Sequence, residues 1–364
     1  MKNKILFIGS FKKPKNGHYG GVYFASTTLR DGLIKEGYQI IEMDTTLKDI
    51  VETRVYKRLP DIISRQFKFL YTILLNVKAK QIFIFLSGSG SYVDKFLPIL
   101  LSKLLRKKII IFPVSGHLIS DIDNRKFLFF INRVFNLTDK IVCQSSYWED
   151  YFSSRKVEKN KLLVIENWVD DLKIKESINL NYPEFKVNDK ITFKIVIVSR
   201  IEKAKGVDDI IELGQRLQNK LDFSIFVYGA GSYQKEFVDS IKSNKLENVI
   251  FFKGWLEKEK MLETINSHHL AVFSSKTEGY PNGLLDYIFS KIPILSSDIP
   301  MLRAVGKSNM AYYKFGNTEE MAKIVEEIYS DYELSILKAQ NLFKIKVIEN
   351  CTDTSIKKIK NILL

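Results

Sequence analysis

The sequence predicts an α/β chain built as two parallel-sheet domains. Short apolar runs alternate with longer stretches of helical periodicity from one end to the other. Glycine-containing turns stand where many of the runs end. At 364 residues and 45% hydrophobic content, the chain exceeds one typical core and suffices for two.

In the first domain, residues 1–170, strands are expected at 5–8, 39–43, 82–86, 109–113, 141–144 and 162–165. The start, MKNKILFIGS, leads straight into a glycine turn and a helix, so it reads as a first strand and not as a signal peptide. The turn carries Gly20 and Gly21, and the helix covers 22–35. His117 follows the apolar strand KIIIFPVSG, at the carboxyl edge of a parallel sheet, where open α/β folds take ligands. His18, His268 and His269 have no comparable placement. Residues 171–190, polar and mixed, read as a linker.

The second domain, 191–340, holds the residues with the most chemistry. In SSKTEGYPNGLLDYIFSKIPILSS, a strand at 270–273 leads through a turn to a helix at 282–290. Glu278 sits in the turn and Asp286 one helical turn beyond Asn282. Amides near Asn282 and Gly283, with the helix dipole behind them, make a seat for phosphate oxygens. One acid could then grip sugar hydroxyls and the other a ribose diol. The plain alternative is an ordinary turn and an exposed helix acid.

Upstream, FKIVIVSRIEKAKGVDDIIELGQRL supplies a strand at 193–198, a basic turn with Arg200 and Lys205, and a helix bearing Val207, Ile210, Ile211, Gly214 and Leu217. A departing diphosphate gathers negative charge, so a catalyst needs fixed cations aimed at it. Arginine grips two oxygens and lysine adds a point charge. FSIFVYGAGSYQKEF and NVIFFKGWLEKEKM each read as strand, glycine turn, helix. Gly229 and Gly231 would let backbone approach a ligand, while Gln234 stands where a dinucleotide fingerprint has its third glycine. After the strand signals near Tyr312, Asn317 and Glu320 form a capping-box-like helix start, and the tail from about 341 to 364 also looks helical.

The string E-G-Y-P-N-G-L-L-D-Y resembles the E-x7-E signature of retaining glycosyltransferases of the GT-B fold, family 4, usually E-G-F-G-x4-E-A. Asp286 is one methylene shorter than the family's glutamate, and Tyr287 replaces a small residue. The turn at 199–206 resembles the family's G-R-x4-K-G, with Ser199 for the first glycine. The resemblance covers nearly the whole chain and is strongest over 193–305. It implies two Rossmann-like domains facing each other across a cleft, with the terminal helix crossing back onto the first. Its implied catalytic residues are Glu278, Arg200, Lys205 and His117. The implied donor-binding residues are Gly20, Gly21, Gly229, Gly231, Gly254, Asn282, Gly283 and Asp286, with Trp255 beside the base or only packing. Ser145, Ser146 and residues 167–170 resemble the family's cleft-lining turns, Trp168 replacing a glycine. The implied donor is a nucleotide-sugar, UDP-linked by expectation. The implied acceptor is a glycan or lipid-linked glycan of bacterial surface polysaccharide. Transfer on one face needs no side-chain nucleophile.

No cofactor and no metal are expected. Asp121 and Asp123 spell a D-x-D that could hold a divalent ion, but no other ligand cluster is in sight and the pair reads as a solvated turn. Cys143 and Cys351 give neither a disulfide framework nor a metal spacing, so a reducing cytoplasm is the expected setting. No run of about 18 uncharged apolar residues occurs.

Charge is uneven. Residues 1–170 hold 28 Lys+Arg against 16 Asp+Glu, and 171–364 hold 28 against 26. Two first-domain stretches, RVYKRLPDIISRQFKFLYTILLNVKAK and KFLPILLSKLLRKK, combine basic with apolar residues, which suits peripheral docking on an anionic membrane at the inner face. Ile63, Phe67, Leu70, Leu74 and Val77 recur at helical spacing and are expected to face the core. No nucleic acid is expected as a partner, since no zinc finger, ribonucleoprotein motif or coiled basic region is found. Two alternatives stay open: a catalytically silent GT-B subunit, because Asp286 departs from the pattern, and an NAD-dependent oxidoreductase, which would share the domain type but lacks its glycine fingerprint here.

Overall fold

A computed structural model describes residues 4–12, 21–46, 55–125, 127–169, 171–187 and 191–363. The chain divides into two compact units, Met1–Trp168 with Thr352–Leu364, and Val169–Cys351.

The first unit holds strands β1 (Lys4–Gly9), β2 (Gln39–Asp44), β3 (Gln81–Leu86), β4 (Lys108–Pro113), β5 (Lys140–Cys143) and β6 (Leu162–Val164), all within a residue of the expected ends. They form one parallel sheet in the order β2-β1-β3-β4-β5-β6. Helices α1 (Gly21–Lys35), α2 (Val55–Leu75), α3 (Ser89–Asp94), α4 (Phe96–Leu104), α5 (His117–Asp123), α6 (Leu128–Leu137) and α7 (Ser146–Ser154) connect them. The inner strands are almost wholly apolar because helices cover both faces of such a sheet, while the edge strand β2 carries Glu42 and Asp44. Phe7, Phe83, Phe85 and Phe112 fill one side of the core, Phe85 and Phe112 stacked at 4.7 Å.

The second unit holds α8 (Asp171–Asn179), β7 (Phe193–Val198), α9 (Val207–Leu217), β8 (Phe223–Tyr228), α10 (Gln234–Ser243), β9 (Ile250–Gly254), α11 (Met261–Asn266), β10 (Leu270–Phe273), α12 (Asn282–Phe289), β11 (Ile294–Ser297), α13 (Pro300–Gly306), β12 (Ala311–Tyr313), α14 (Thr318–Ser330) and α15 (Tyr332–Glu349). Its sheet is also parallel, in the order β12-β11-β10-β7-β8-β9. The side chains at 207, 210, 211 and 217 enter the core as their spacing predicts. The cap at α14 differs in detail from a capping box: Asn317 Oδ1 accepts the Glu320 N–H at 3.2 Å, but Glu320 Oε2 accepts from Lys314 N and Asn317 Nδ2.

Four sequence expectations need correction. Residues 171–190 contain α8, which is fastened to its own unit: Lys291 Nζ donates to the Ile178 and Leu180 carbonyls at 3.0 and 2.7 Å, capping the helix where its dipole is negative. The tail is two helices, broken at 350–351, and only the second, α16 (Thr352–Leu363), belongs to the first unit. There Ile356, Ile359 and Ile362 join the core, and Gly32 of α1 admits Ile356, because a Cβ on it would stand 2.7 Å from Ile356 Cδ1. Asp121 and Asp123 lie on α5 and not in a turn, with Asp123 paired to Arg155. Finally, Ile63, Phe67, Leu74 and Val77 are more than half exposed, and Leu70 is only partly covered. The core face of α2 is instead the one carrying Phe69 and Ile73.

His268 and His269 are buried between β10 and its neighbours, and burial pushes both down to about 4. His269 Nδ1 accepts the Lys194 N–H at 2.9 Å, so its neutral form is the one the fold needs. Since the folded values lie below the ordinary 6.5, stability is complete above that pH and is lost as pH falls toward 4. Urea unfolding should show a loss of about 2 kcal/mol or more between pH 7 and pH 5. A flat profile would remove the neutral histidines from the account.

Candidate functional site

In the second sheet the strand order reverses between β7 and β10, so the loops leaving their carboxyl ends share one edge. In open α/β sheets, that edge is where ligands bind. The two loops are joined directly. Lys276 N–H donates to the Ala204 carbonyl at 2.9 Å and Ser274 Oγ to the Lys205 carbonyl at 2.8 Å. Gly206 permits the join: its φ is +69°, and a Cβ there would stand 2.2 Å from the Ser274 oxygen. The junction brings Lys205 and Glu278 into an ion pair, with side chains only 16% and 13% exposed. Arg200, by contrast, is 65% exposed and rests on Glu202 at 2.8 Å, at the rim of the site.

At Gly229 and Gly231 the close approach that the structure shows is of backbone to backbone. A Cβ on Gly229 would stand 1.8 Å from the Ser199 oxygen, and one on Gly231 2.3 Å from the Ile201 oxygen. Their bareness lets the β8 loop lie against the β7 loop, backbone to backbone, with Ile201 N–H donating to Ala230 at 3.1 Å. Gly254 adopts φ +72° in open space, accepts the Gly229 N–H at 2.7 Å, and precedes Trp255, which is 56% exposed.

Helix α12 opens behind Pro281, so Asn282 and Gly283 form its first turn, with no acidic residue there to oppose an anion. Tyr287 is fully buried, and burial raises its phenol well above the ordinary range. Its oxygen accepts the Val198 N–H at 2.6 Å and donates toward the Val272 carbonyl at 3.3 Å, tying α12 to the ends of β7 and β10. Asp286, one turn on, forms an ion pair with Lys173 of α8. Sequence reasoning missed Lys173 because it falls in a segment read as linker; its single signal was a helical, lysine-bearing run at 171–179.

A pocket of about 220 Å³ opens at this edge, lined among others by Arg200, Gly229, Trp255, Gly283, Asp286 and Tyr287. Lys205 and Glu278 lie on the adjoining loops and do not line it, nor do Gly231, Gly254 and Asn282. In the first unit, Gly21 opens α1 after β1, and His117 opens α5 after β4, both at the carboxyl edge of their sheet. Gly20, His18, Asp170 and the His117 side chain lie outside what is described. Ser145 and Asn167, expected as lining residues, are buried: Ser145 caps α7, and Asn167 accepts from Gln144 Nε2 at 2.6 Å. Among the described residues, no group of three His, Cys, Asp or Glu side chains is placed to hold a metal.

Residues 181–341 match the family model "Glycosyl transferases group 1". Two curated relatives each align over less than two fifths of the chain. The Escherichia coli "Serotype-specific mannosyltransferase WbdA" is 23% identical over 144 residues, 38% of this chain and 17% of that protein. The Streptococcus pneumoniae "Alpha-galactosylglucosyldiacylglycerol synthase" is 27% identical over 138 residues, 37% of this chain and 36% of that protein. The chain thus spans well under half the length of the curated relatives it matches. Among solved structures, Anabaena Alr3699/HepE in complex with UDP-glucose superposes at a TM-score of 0.72 with 15% identity, covering 99% of each chain. That likeness shows the GT-B fold of two Rossmann-like domains.

The Tyr287 contact is directly testable. Tyr287→Phe leaves the Val198 N–H without its acceptor and should cost about 1–3 kcal/mol in urea unfolding. An unchanged midpoint would mean that the hydroxyl does not pin α12.

Proposed function

We propose that this chain, whose residues 181–341 form a glycosyl transferases group 1 domain of the GT-B fold, is a retaining glycosyltransferase that uses a UDP-sugar without a metal. The observation that carries the reading is the joining of the basic turn 199–206 to the acidic loop 274–281 at the switch point of the second sheet. Three positive features converge at that edge: Arg200, Lys205 and the α12 amino terminus. A nucleoside diphosphate is the ligand such a set suits. The exposed Trp255 beside the pocket offers a flat apolar face to a base, and the solved relative binding UDP-glucose favours uridine.

In the reaction, the bond from the anomeric carbon to the diphosphate oxygen breaks and a bond to the acceptor hydroxyl forms on the same face. The departing phosphate oxygen takes the hydroxyl proton, so no enzymic nucleophile is required. Arg200, loosely held by Glu202, swings to the diphosphate. Lys205 adds its charge, Glu278 grips sugar hydroxyls, and Asp286, shared with Lys173, takes the ribose. His117 is assigned to catalysis, and Gly20 and Gly21 to donor binding, as the family resemblance implies. The acceptor is a glycan or a lipid-linked glycan of bacterial surface polysaccharide, in line with what the curated relatives' names say of those proteins. Work at the inner face of a membrane follows from such an acceptor and from the basic first unit.

Thermal shift with UDP, GDP and NAD tests the donor class. A ligand at a hundred times its Kd stabilises by about 2.7 kcal/mol. UDP should raise the melting temperature; a rise with NAD alone would favour the oxidoreductase, and sugar-nucleotide hydrolysis would exclude a silent subunit. Arg200→Ala and Lys205→Ala should each lower turnover by about 10²-fold if each supplies a few kcal/mol to the charged transition state. Unchanged turnover in both would withdraw the diphosphate assignment. Asp286→Glu should keep or improve donor affinity, whereas a large loss would show that the pair with Lys173 has fitted the site to the shorter acid.

A further inference from the structure

Helix α2 has two apolar faces, and the fold uses one of them. Phe69 and Ile73 enter the core, while Ile63, Phe67, Tyr71, Leu74 and Leu75 all stand more than half exposed. At 100° per residue, positions 63, 67, 70, 71 and 74 form one continuous stripe. A stripe this long on a water-facing helix is not scattered surface apolarity; it marks a docking face. Helix α4 packs beside α2 and adds exposed Leu97 and Leu104. Helix α6 packs beside α4 and adds Phe129, with Arg133 at 5.4 Å over its ring.

The charge next to this face decides what covers it. Lys107 Nζ donates to the carbonyls of Asn76 and Ala79 at 2.8 and 2.6 Å, which fixes the basic turn 105–108 at the carboxyl end of α2. Lys103, Arg106, Lys107 and Lys108 line a hollow of about 420 Å³ with Asp139; Lys103 Nζ donates to Asp139 at 2.8 Å and Lys107 is buried, so Arg106 and Lys108 are the cations it offers to an anion. Exposed Lys68, Lys78 and Lys80 lie along α2 and just past its end. Cations beside an apolar stripe match a bilayer whose headgroups are anionic and whose acyl region begins a few ångströms below.

We infer that the exposed face of α2, with α4 and α6, is a membrane-docking surface: Phe67, Leu74 and their neighbours enter the headgroup–acyl boundary of an anionic bilayer, and the 103–108 hollow takes lipid phosphate. The inference stands on exposure and charge alone and does not rest on the reaction proposed above.

Co-sedimentation of the full chain with vesicles tests it, comparing phosphatidylcholine alone with an equal mixture of phosphatidylcholine and phosphatidylglycerol at low and high salt. The chain should pellet with the anionic vesicles, less so at high salt. Phe67→Ser with Leu74→Ser should weaken this by about tenfold or more through lost apolar burial. Arg106→Glu should weaken it and flatten its salt dependence. All these side chains are solvent-facing, so melting temperatures and sugar-nucleotide hydrolysis in solution should stay at the wild-type level. Failure of the wild-type chain to pellet with anionic vesicles at low salt overturns the inference. So does concentration-dependent dimerisation that the Phe67→Ser, Leu74→Ser variant abolishes, which would assign the face to a second copy of the chain. Vesicle binding by a chain without hydrolytic activity would overturn the proposed reaction and leave this surface standing.

Discussion

The reversal of strand order between β7 and β10 is the constraint from which the site follows. Because the two strands are neighbours while α9 packs with α10 and α14, and α12 with α8, α11 and α15, the loops leaving them are drawn apart above but remain joined at the sheet edge. Nothing in the local sequence of either loop contains the other. Their meeting is a product of topology, and the hydrogen bonds between 204–205 and 274–276 then hold it.

Glycine and buried charge turn that junction into a site. Gly206, Gly229 and Gly231 each leave room for a backbone oxygen that a side chain there would strike, so three loops stack closely. The same closeness half-buries Lys205 and Glu278, and a charge so placed needs a partner. Each supplies the other's. The pair is therefore a ready store of one positive and one negative group, which an incoming diphosphate and sugar can divide between them. Asp286 and Lys173 repeat the device on α12.

Much of this was legible in the sequence, for definable reasons. Strands β7 and β10 were placed to the residue because continuous apolar runs ended at basic and acidic turns. That Glu278, Arg200 and Asp286 would stand at the loop and helix start beyond these strands was readable from spacing. Lys173 was not, since a polar segment between domains looks like a linker whether or not it packs as a helix. That Gly229 and Gly231 would also admit the β7 loop was not readable, because a sequence shows that backbone is bare and not which backbone approaches it. On α2 the periodicity was real, yet two apolar stripes share the helix and spacing alone does not say which one the sheet selects. The tail carried no sign that its break at 350–351 would send only α16 to the first unit.

A crystal structure of the chain with UDP bound tests the central claim most directly. The account predicts the diphosphate at the α12 amino terminus, within hydrogen-bond distance of Lys205 and Arg200, with the uracil beside Trp255 and Glu278 released from its lysine. UDP bound elsewhere, or Lys205 still held by Glu278 with the phosphates out of reach of both cations, would contradict it.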